Sequence, residues 1–220
     1  MTRQPDPSFG PRPACAYRRD FPECAVAWTL IFDLSEVLIA GLLGIEKPLA
    51  ARLRIDEPTV LPAFAGQFLE DLCCGRLSED EYLALILQSQ RWVIAAAEVK
   101  RIIRENFHQR VPGMEDLVAQ LARRHELFLL SDHAAEWVAY IRGVHPFLEI
   151  FKTRFFSFEL KQTKREPSTF QKVLAAVGRR PDECLLVDDS ALNLRAAADI
   201  GLPGIRFTSA DALARDLAAP

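Results

Sequence analysis

Short β-like runs, the clearest of them apolar throughout, alternate with helical stretches through the second half of the chain. Leu127-Phe128-Leu129-Leu130, Thr153 to Phe158, Cys184-Leu185-Leu186-Val187 and Gly204 to Phe207 have the length and composition of strands. Ala134 to Arg142, Pro167 to Val177, Ala191 to Ile200 and Ala210 to Leu217 read as helices. Proline opens the second of these in its first turn, and Gly201 stops the third. A strand buried on both faces has no polar alternation, so uniformly apolar runs separated by helices predict a parallel sheet with helices on both sides. Thr29 to Phe32 is the first strand of that sheet, and right-handed crossovers distribute the following helices over its two faces.

Between Leu42 and Phe107 the pattern changes to helix after helix: Ile45 to Leu53, Pro58 to Cys74, Ser78 to Gln88, and Ala97 to Asn106. Ser78 and Glu81 have capping-box spacing. A helical block inserted after the first strand of an α/β sheet sits above its carboxyl edge, where ligands bind, and can exclude water there. The expected organisation is a Rossmann-like α/β core formed by residues 26–41 and 109–220, with a helical cap over 42–108. Residues 1–25 carry Pro5, Pro7, Pro11, Pro13 and Pro22 among few aliphatic side chains and read as a poorly ordered arm.

Composition narrows the function classes. The formal net charge of -3 gives no electrostatic reason to expect nucleic acid or an anionic membrane as partner. No apolar run approaches the roughly 20 residues of a membrane helix, and the N-terminus lacks the basic start and apolar stretch of a signal peptide. Cys15, Cys24, Cys73, Cys74 and Cys184 are odd in number and lack metal-ligand spacing, so reduced thiols in a cytoplasmic protein are expected.

Four loops at or just beyond predicted strands begin with chemically useful residues: Asp33-Leu34-Ser35-Glu36, Ser131-Asp132-His133, Lys164-Arg165-Glu166-Pro167, and Asp188-Asp189-Ser190 with Asn193. Taken singly, Asp or Ser at a strand end is accounted for by capping of the next helix. In this order, and with Leu186-Val187-Asp188-Asp189-Ser190, Ala196-Ala197 and Gly201, they resemble the haloacid-dehalogenase-like (HAD) hydrolase superfamily from about Trp28 to Phe207. Phe32-Asp33-Leu34, Gly75-Arg76-Leu77-Ser78 and Lys164 with Pro167 look like the branch of bacterial α-glucose-1-phosphate phosphatases.

The resemblance implies a Mg²⁺-dependent phosphohydrolase acting on a small phosphorylated metabolite, such as a sugar phosphate. Asp33 would be the nucleophile that forms an aspartyl-phosphate, a mixed anhydride that is itself readily hydrolysed. Mg²⁺ would be held by Asp33, the Ser35 carbonyl and Asp188, with Asp189 supporting its water shell or orienting Lys164. Ser131 would donate to a phosphate oxygen and Lys164 would neutralise the transferring group. Ser35, Asp132 and His133 would face the substrate, although His133 serves equally as a cap for the next helix. Asn193 reads as a structural hydrogen-bonder, and Glu36 either as a turn residue at the cap hinge or as a group that positions water.

This chain departs from the family pattern at three positions. Ser35 stands where these phosphatases carry a second aspartate, an acid that contributes roughly 10²–10⁴-fold. Lys161 stands where the branch commonly has glycine, which leaves two lysines for one role, and Asp132 replaces the usual asparagine. Three functions stay open: a phosphatase that uses water or another group in place of the acid, a 2-haloacid dehalogenase, and an impaired homologue that binds a phosphorylated ligand or protein partner without turnover. Paired Asp188-Asp189 argues against a metal-independent dehalogenase. Arg52, Arg54, Arg101 and Arg104 are expected on solvated helix faces. Trp92 and Trp137 are candidates for the cleft between cap and core.

Overall fold

A computed structural model describes residues 28–218. The proline-rich arm lies outside the described residues, as do Cys15 and Cys24. Five parallel strands form one sheet in the order β3-β2-β1-β4-β5. They are β1 (Thr29–Phe32), β2 (Glu126–Ser131), β3 (Thr153–Phe156), β4 (Cys184–Asp188) and β5 (Gly204–Arg206). The first strand is central, buried at all four positions, and paired to β2 on one side and β4 on the other.

Side chains alternate across β1 as the pleat requires. Leu30 and Phe32 join one hydrophobic core with Leu129 and Val187, whereas Ile31 joins a second with Phe128, Leu130 and Leu186. Two cores, one on each face, are the physical counterpart of strand runs with no polar alternation. Helices α6 (Met114–Leu121), α7 (Ala135–Val144), α8 (Ser157–Leu160), α9 (Pro167–Val177), α10 (Ala191–Ala198) and α11 (Ala210–Ala218) accompany the sheet.

The insertion after β1 comprises α1 (Glu46–Leu53), α2 (Val60–Phe64), α3 (Gln67–Cys73), α4 (Glu79–Gln90) and α5 (Ala96–Phe107). The start of α4 has the expected capping box: Ser78 N–H donates to Glu81 Oε2 at 2.8 Å, and Glu81 N–H donates to Ser78 Oγ at 3.3 Å. In α5, Val99, Ile102, Ile103 and Phe107 bury one stripe at helical spacing.

Three expectations are corrected. The single helix expected over Pro58 to Cys74 is a 3-10 turn followed by two helices, because Ala65 is extended and Gly66 takes φ +88°, open to glycine but strained for other residues. The strand expected to run from Thr153 to Phe158 ends at Phe156. There the Ser157 hydroxyl accepts from His133 N–H at 2.9 Å and donates to the Cys73 carbonyl at 2.6 Å, which turns the chain into α8. Helix α6, between the insertion and β2, was not anticipated; it buries Met114 and Val118, a stripe too short to stand out in sequence.

Candidate active site

In a parallel sheet the crevice opens where strand order reverses, here between β1 and β4. Asp33 follows β1 directly, and its N–H donates to the Val187 carbonyl at 2.9 Å, so the pairing of β1 with β4 sets Asp33 beside Asp188. Lys164 Nζ lies 2.7 Å from Asp33 Oδ2 and 2.7 Å from Asp188 Oδ2. All three side chains are buried. Lys161 is elsewhere: a Cβ added at Gly75 would come within 3.0 Å of its Nζ. Lys161 takes φ +60°, a conformation that favours glycine. The geometry separates the two lysines, and only Lys164 reaches the carboxylates.

Surrounding groups hold this cluster in place. Leu34 N–H donates to Asp33 Oδ1 at 2.7 Å. Asp188 accepts from Ser190 N–H at 2.9 Å and from Asn193 Nδ2 at 3.1 and 3.2 Å. Asn193, one turn into α10, is thus a hydrogen-bonder to the carboxylate. Asp132 Oδ1 and Oδ2 accept from the Lys164 N–H at 3.0 and 3.1 Å. Its carboxylate therefore anchors the lysine loop.

One ammonium serves several acids. Burial opposes the charge on Lys164, yet Asp188, Asp33 and Asp132 outweigh it and hold the group above its usual pKa. Burial pushes the Asp33 carboxyl up to about 8, against the pull of Lys164 and with the repulsion of Asp188. Asp189 is also raised, by burial and then by Asp188. Asp33, Asp188 and Asp189 each offer an oxygen, and these oxygens all lie within 4.8 Å of one another. An excess of close carboxylates over the one neighbouring ammonium fits a hard divalent cation such as Mg²⁺, which prefers oxygen ligands.

Ser131, at the tip of β2, is fully buried, and its Oγ has no hydrogen-bond partner among the described residues. An unsatisfied buried hydroxyl is uncommon, and here it is free to meet a ligand or a water. Ser35 Oγ lies 3.2 Å from His133 Nε2. His133 is buried against Phe107 and Trp137, and burial, Lys164 and Arg104 lower its pKa to about 3, which leaves it neutral. Glu36 Oε1 accepts from Gly41 N–H at 2.8 Å and Leu43 N–H at 3.3 Å, so it closes the turn into the insertion.

Arg104 is not on a solvated face. Its guanidinium meets Glu79 in two bonds, at 2.8 and 2.6 Å, and Trp137 Nε1 donates to the same carboxylate at 2.7 Å. Sequence reasoning missed Glu79; the only available signal was an acid in the first turn of a well-capped helix. Arg52 and Arg101 are exposed, in pairs with Glu98 and Glu105. Trp137 borders a cavity beside Ser35, whereas Trp92 packs against Phe64 within the insertion. No helix among the described residues is long and apolar enough to cross a membrane.

The family model described as haloacid dehalogenase-like hydrolase matches residues 22–201. Flavin mononucleotide hydrolase 1 of Arabidopsis thaliana, a chloroplast protein, is 28% identical over 106 residues, 48% of this chain and 43% of that protein. The match thus spans less than half of that relative's length. Among solved structures, a HAD family enzyme of Bacteroides thetaiotaomicron in complex with magnesium and inorganic phosphate is 18% identical at a TM-score of 0.68, covering 83% of this chain and 95% of that one. A dehalogenase is 14% identical at a TM-score of 0.72, covering 90% and 100%. At these identities the likenesses show a common fold, which a magnesium-bound enzyme and a dehalogenase share.

Proposed function

From the premise that this chain belongs to the haloacid dehalogenase-like hydrolases, we propose that it is a Mg²⁺-dependent phosphomonoesterase acting on a small phosphorylated metabolite. The observation that carries this reading is the triplet Asp33, Asp188 and Asp189, the first two of them paired with the Lys164 ammonium. A carboxylate nucleophile displacing halide has no use for two further acids. A phosphatase does, because a cation must offset repulsion between its nucleophile and a phosphate dianion. Residues 42–108 serve as the cap in this reading.

Asp33, Asp188 and Asp189, with the Ser35 carbonyl, would hold Mg²⁺. When bound, the ion supplies charge neutralisation at the transferring phosphoryl group. Asp33 attacks phosphorus, the ester oxygen leaves with the electron pair of its bond, and an aspartyl-phosphate forms and is then hydrolysed. Ser131 donates its free hydroxyl to a phosphoryl oxygen, and Lys164 offsets the charge on that group. Asp132 positions Lys164 through its backbone N–H. With Ser35 in place of an acid and Glu36 engaged at the turn, water delivers the proton to the leaving oxygen.

Phosphate release from a broad panel of phosphomonoesters, with and without Mg²⁺, tests the reading. Turnover that Asp33→Asn abolishes is the expected result, and halide release from a 2-haloacid without metal would overturn it. Ser35 supports a second reading, a homologue that binds a phosphorylated ligand without turnover, since its hydroxyl cannot match a carboxylic acid as donor. Mg²⁺-dependent binding of a phosphate analogue with no release across the panel would favour that reading. A rate increase in Ser35→Asp would identify leaving-group protonation as the slow step.

A further inference from the structure

A cavity of about 210 Å³ is bordered by Ser35, Asp132 and His133, from the same two loops that carry Asp33 and Ser131. Its other walls are apolar: Leu42 from the turn into the insertion, Leu69 and Cys73 from α3, Phe107 from α5 and Trp137 from α7. No lysine or arginine is among the residues that line it. The polar atoms on its walls are mostly engaged. Trp137 Nε1 is committed to Glu79 and the Asp132 carboxylate to the Lys164 N–H. The Cys73 thiol is held neutral, because burial raises its pKa. Ser35 Oγ and Nε2 of His133 face each other, and His133 Nδ1, also buried, is the one ring nitrogen without a partner among the described residues.

From this geometry, and resting on the phosphatase reading above, we infer that the substrate is the phosphate monoester of a compact, uncharged, largely apolar alcohol. An arylalkyl alcohol fits better than a sugar. A sugar brings several hydroxyls, and each hydroxyl buried without a partner is costly. A leaving group with a second anion would meet no lysine or arginine on these walls and would face the Asp132 carboxylate. An aromatic ring, by contrast, meets Phe107, Trp137 and two leucines, and displaces water held by few polar groups.

Benzyl phosphate and glucose 6-phosphate separate the possibilities, since both are esters of primary alcohols and differ chiefly in polarity. Their affinities are to be measured by calorimetry on full-length Asp33→Asn protein with Mg²⁺, which needs no turnover, and their kcat/KM on the wild type. The expected result is a preference for benzyl phosphate of about tenfold or more in both measurements, the scale on which a hydrophobic pocket discriminates. Equal or tighter binding of glucose 6-phosphate overturns the inference and leaves the phosphatase reading standing. Preferential binding of benzyl phosphate without release of phosphate by the wild type upholds the pocket's preference and overturns the phosphatase reading. Leu69→Asn, judged against inhibition or binding by inorganic phosphate as an internal control, is expected to weaken benzyl phosphate about tenfold and spare the inorganic anion. An unchanged affinity for benzyl phosphate in that variant would likewise overturn the inference.

Discussion

Replacing Glu79 with alanine is expected to cost more stability than any other single change to a charged residue of the insertion. Glu79 opens α4, yet only 3% of its side chain is exposed. It accepts two bonds from Arg104 on α5, whose side chain is 17% exposed, and one from Trp137 on α7. Lys100 Nζ lies 3.5 Å away. The carboxylate therefore ties two helices of the insertion to a helix of the sheet domain. Removing one partner of a buried ion pair costs about 3–5 kcal/mol, because it strands the other charge. The orphaned indole N–H adds roughly 1–3 kcal/mol if water cannot reach it. Arg104 recovers some hydration through its exposed edge, which brings the expected total to about 3–4 kcal/mol. For a chain of this length that corresponds to a fall in Tm of roughly 6–16 °C. Urea denaturation followed by tryptophan fluorescence measures it. A loss below about 1 kcal/mol in Glu79→Ala would refute the reasoning. So would a double variant, Glu79→Met with Arg104→Met, no more stable than Glu79→Met alone, since the second change removes the stranded charge.

Lys161→Gly relieves a left-handed backbone at φ +60° and is expected to raise stability by about 1 kcal/mol in urea denaturation, with phosphate release unchanged. Asp132→Ala removes the acceptor for the Lys164 N–H and is expected to lower kcat at least roughly tenfold in a phosphate-release assay, whereas Asp132→Asn keeps one acceptor oxygen and most of the activity. His145 is buried, with Nε2 2.6 Å from the Phe107 carbonyl and Nδ1 unpartnered among the described residues, and burial depresses its pKa despite that hydrogen bond. A depressed histidine stays neutral in the fold while the unfolded chain takes up a proton. Stability is therefore retained above the ordinary pKa near 6.5 and lost as pH falls below it. Denaturation at pH 7 and pH 5 should show that loss diminished in His145→Gln.

The centre of the sheet was legible because β1, β2 and β4 are buried on both faces. Leu30 to Phe32 and Cys184 to Val187 carry no charged or strongly polar residue until the chain reaches the site, so the end of an apolar run marks the place of chemistry. That one feature locates Asp33, Ser131 and Asp188 together, since parallel strands bring their carboxyl ends to the same edge. Lys164 was harder, because it lies in a loop well beyond β3 and competes with Lys161 three residues earlier. Neither charge nor hydropathy separates two lysines on one loop. What separates them is backbone: Lys161 sits in a left-handed turn at the end of α8, which sends the chain back so that Lys164 can reach the carboxylates.

What the sequence hid are polar pairings between residues far apart in the chain, for which no local pattern exists. Arg104 lies 25 residues from Glu79, and Trp137 lies 58 from it. Asp132 is 32 residues from Lys164, and Ser35 is 98 from His133. Each of these residues has an ordinary local reading: a solvated helix charge, a packed aromatic, a substituted loop acid, a lost proton donor. In the fold each instead satisfies a group that burial would otherwise leave unpaired, which is why the interior tolerates them. The same accounting marks out two groups that, among the described residues, are left unsatisfied at or just beyond the end of β2: Ser131 Oγ and His133 Nδ1. Ser131 Oγ is buried without a partner a few residues from where Asp132, Ser157 and Lys164 are all engaged. In the phosphatase reading proposed above, the Ser131 hydroxyl would take a ligand that brings its own acceptor, and a phosphoryl oxygen is such an acceptor.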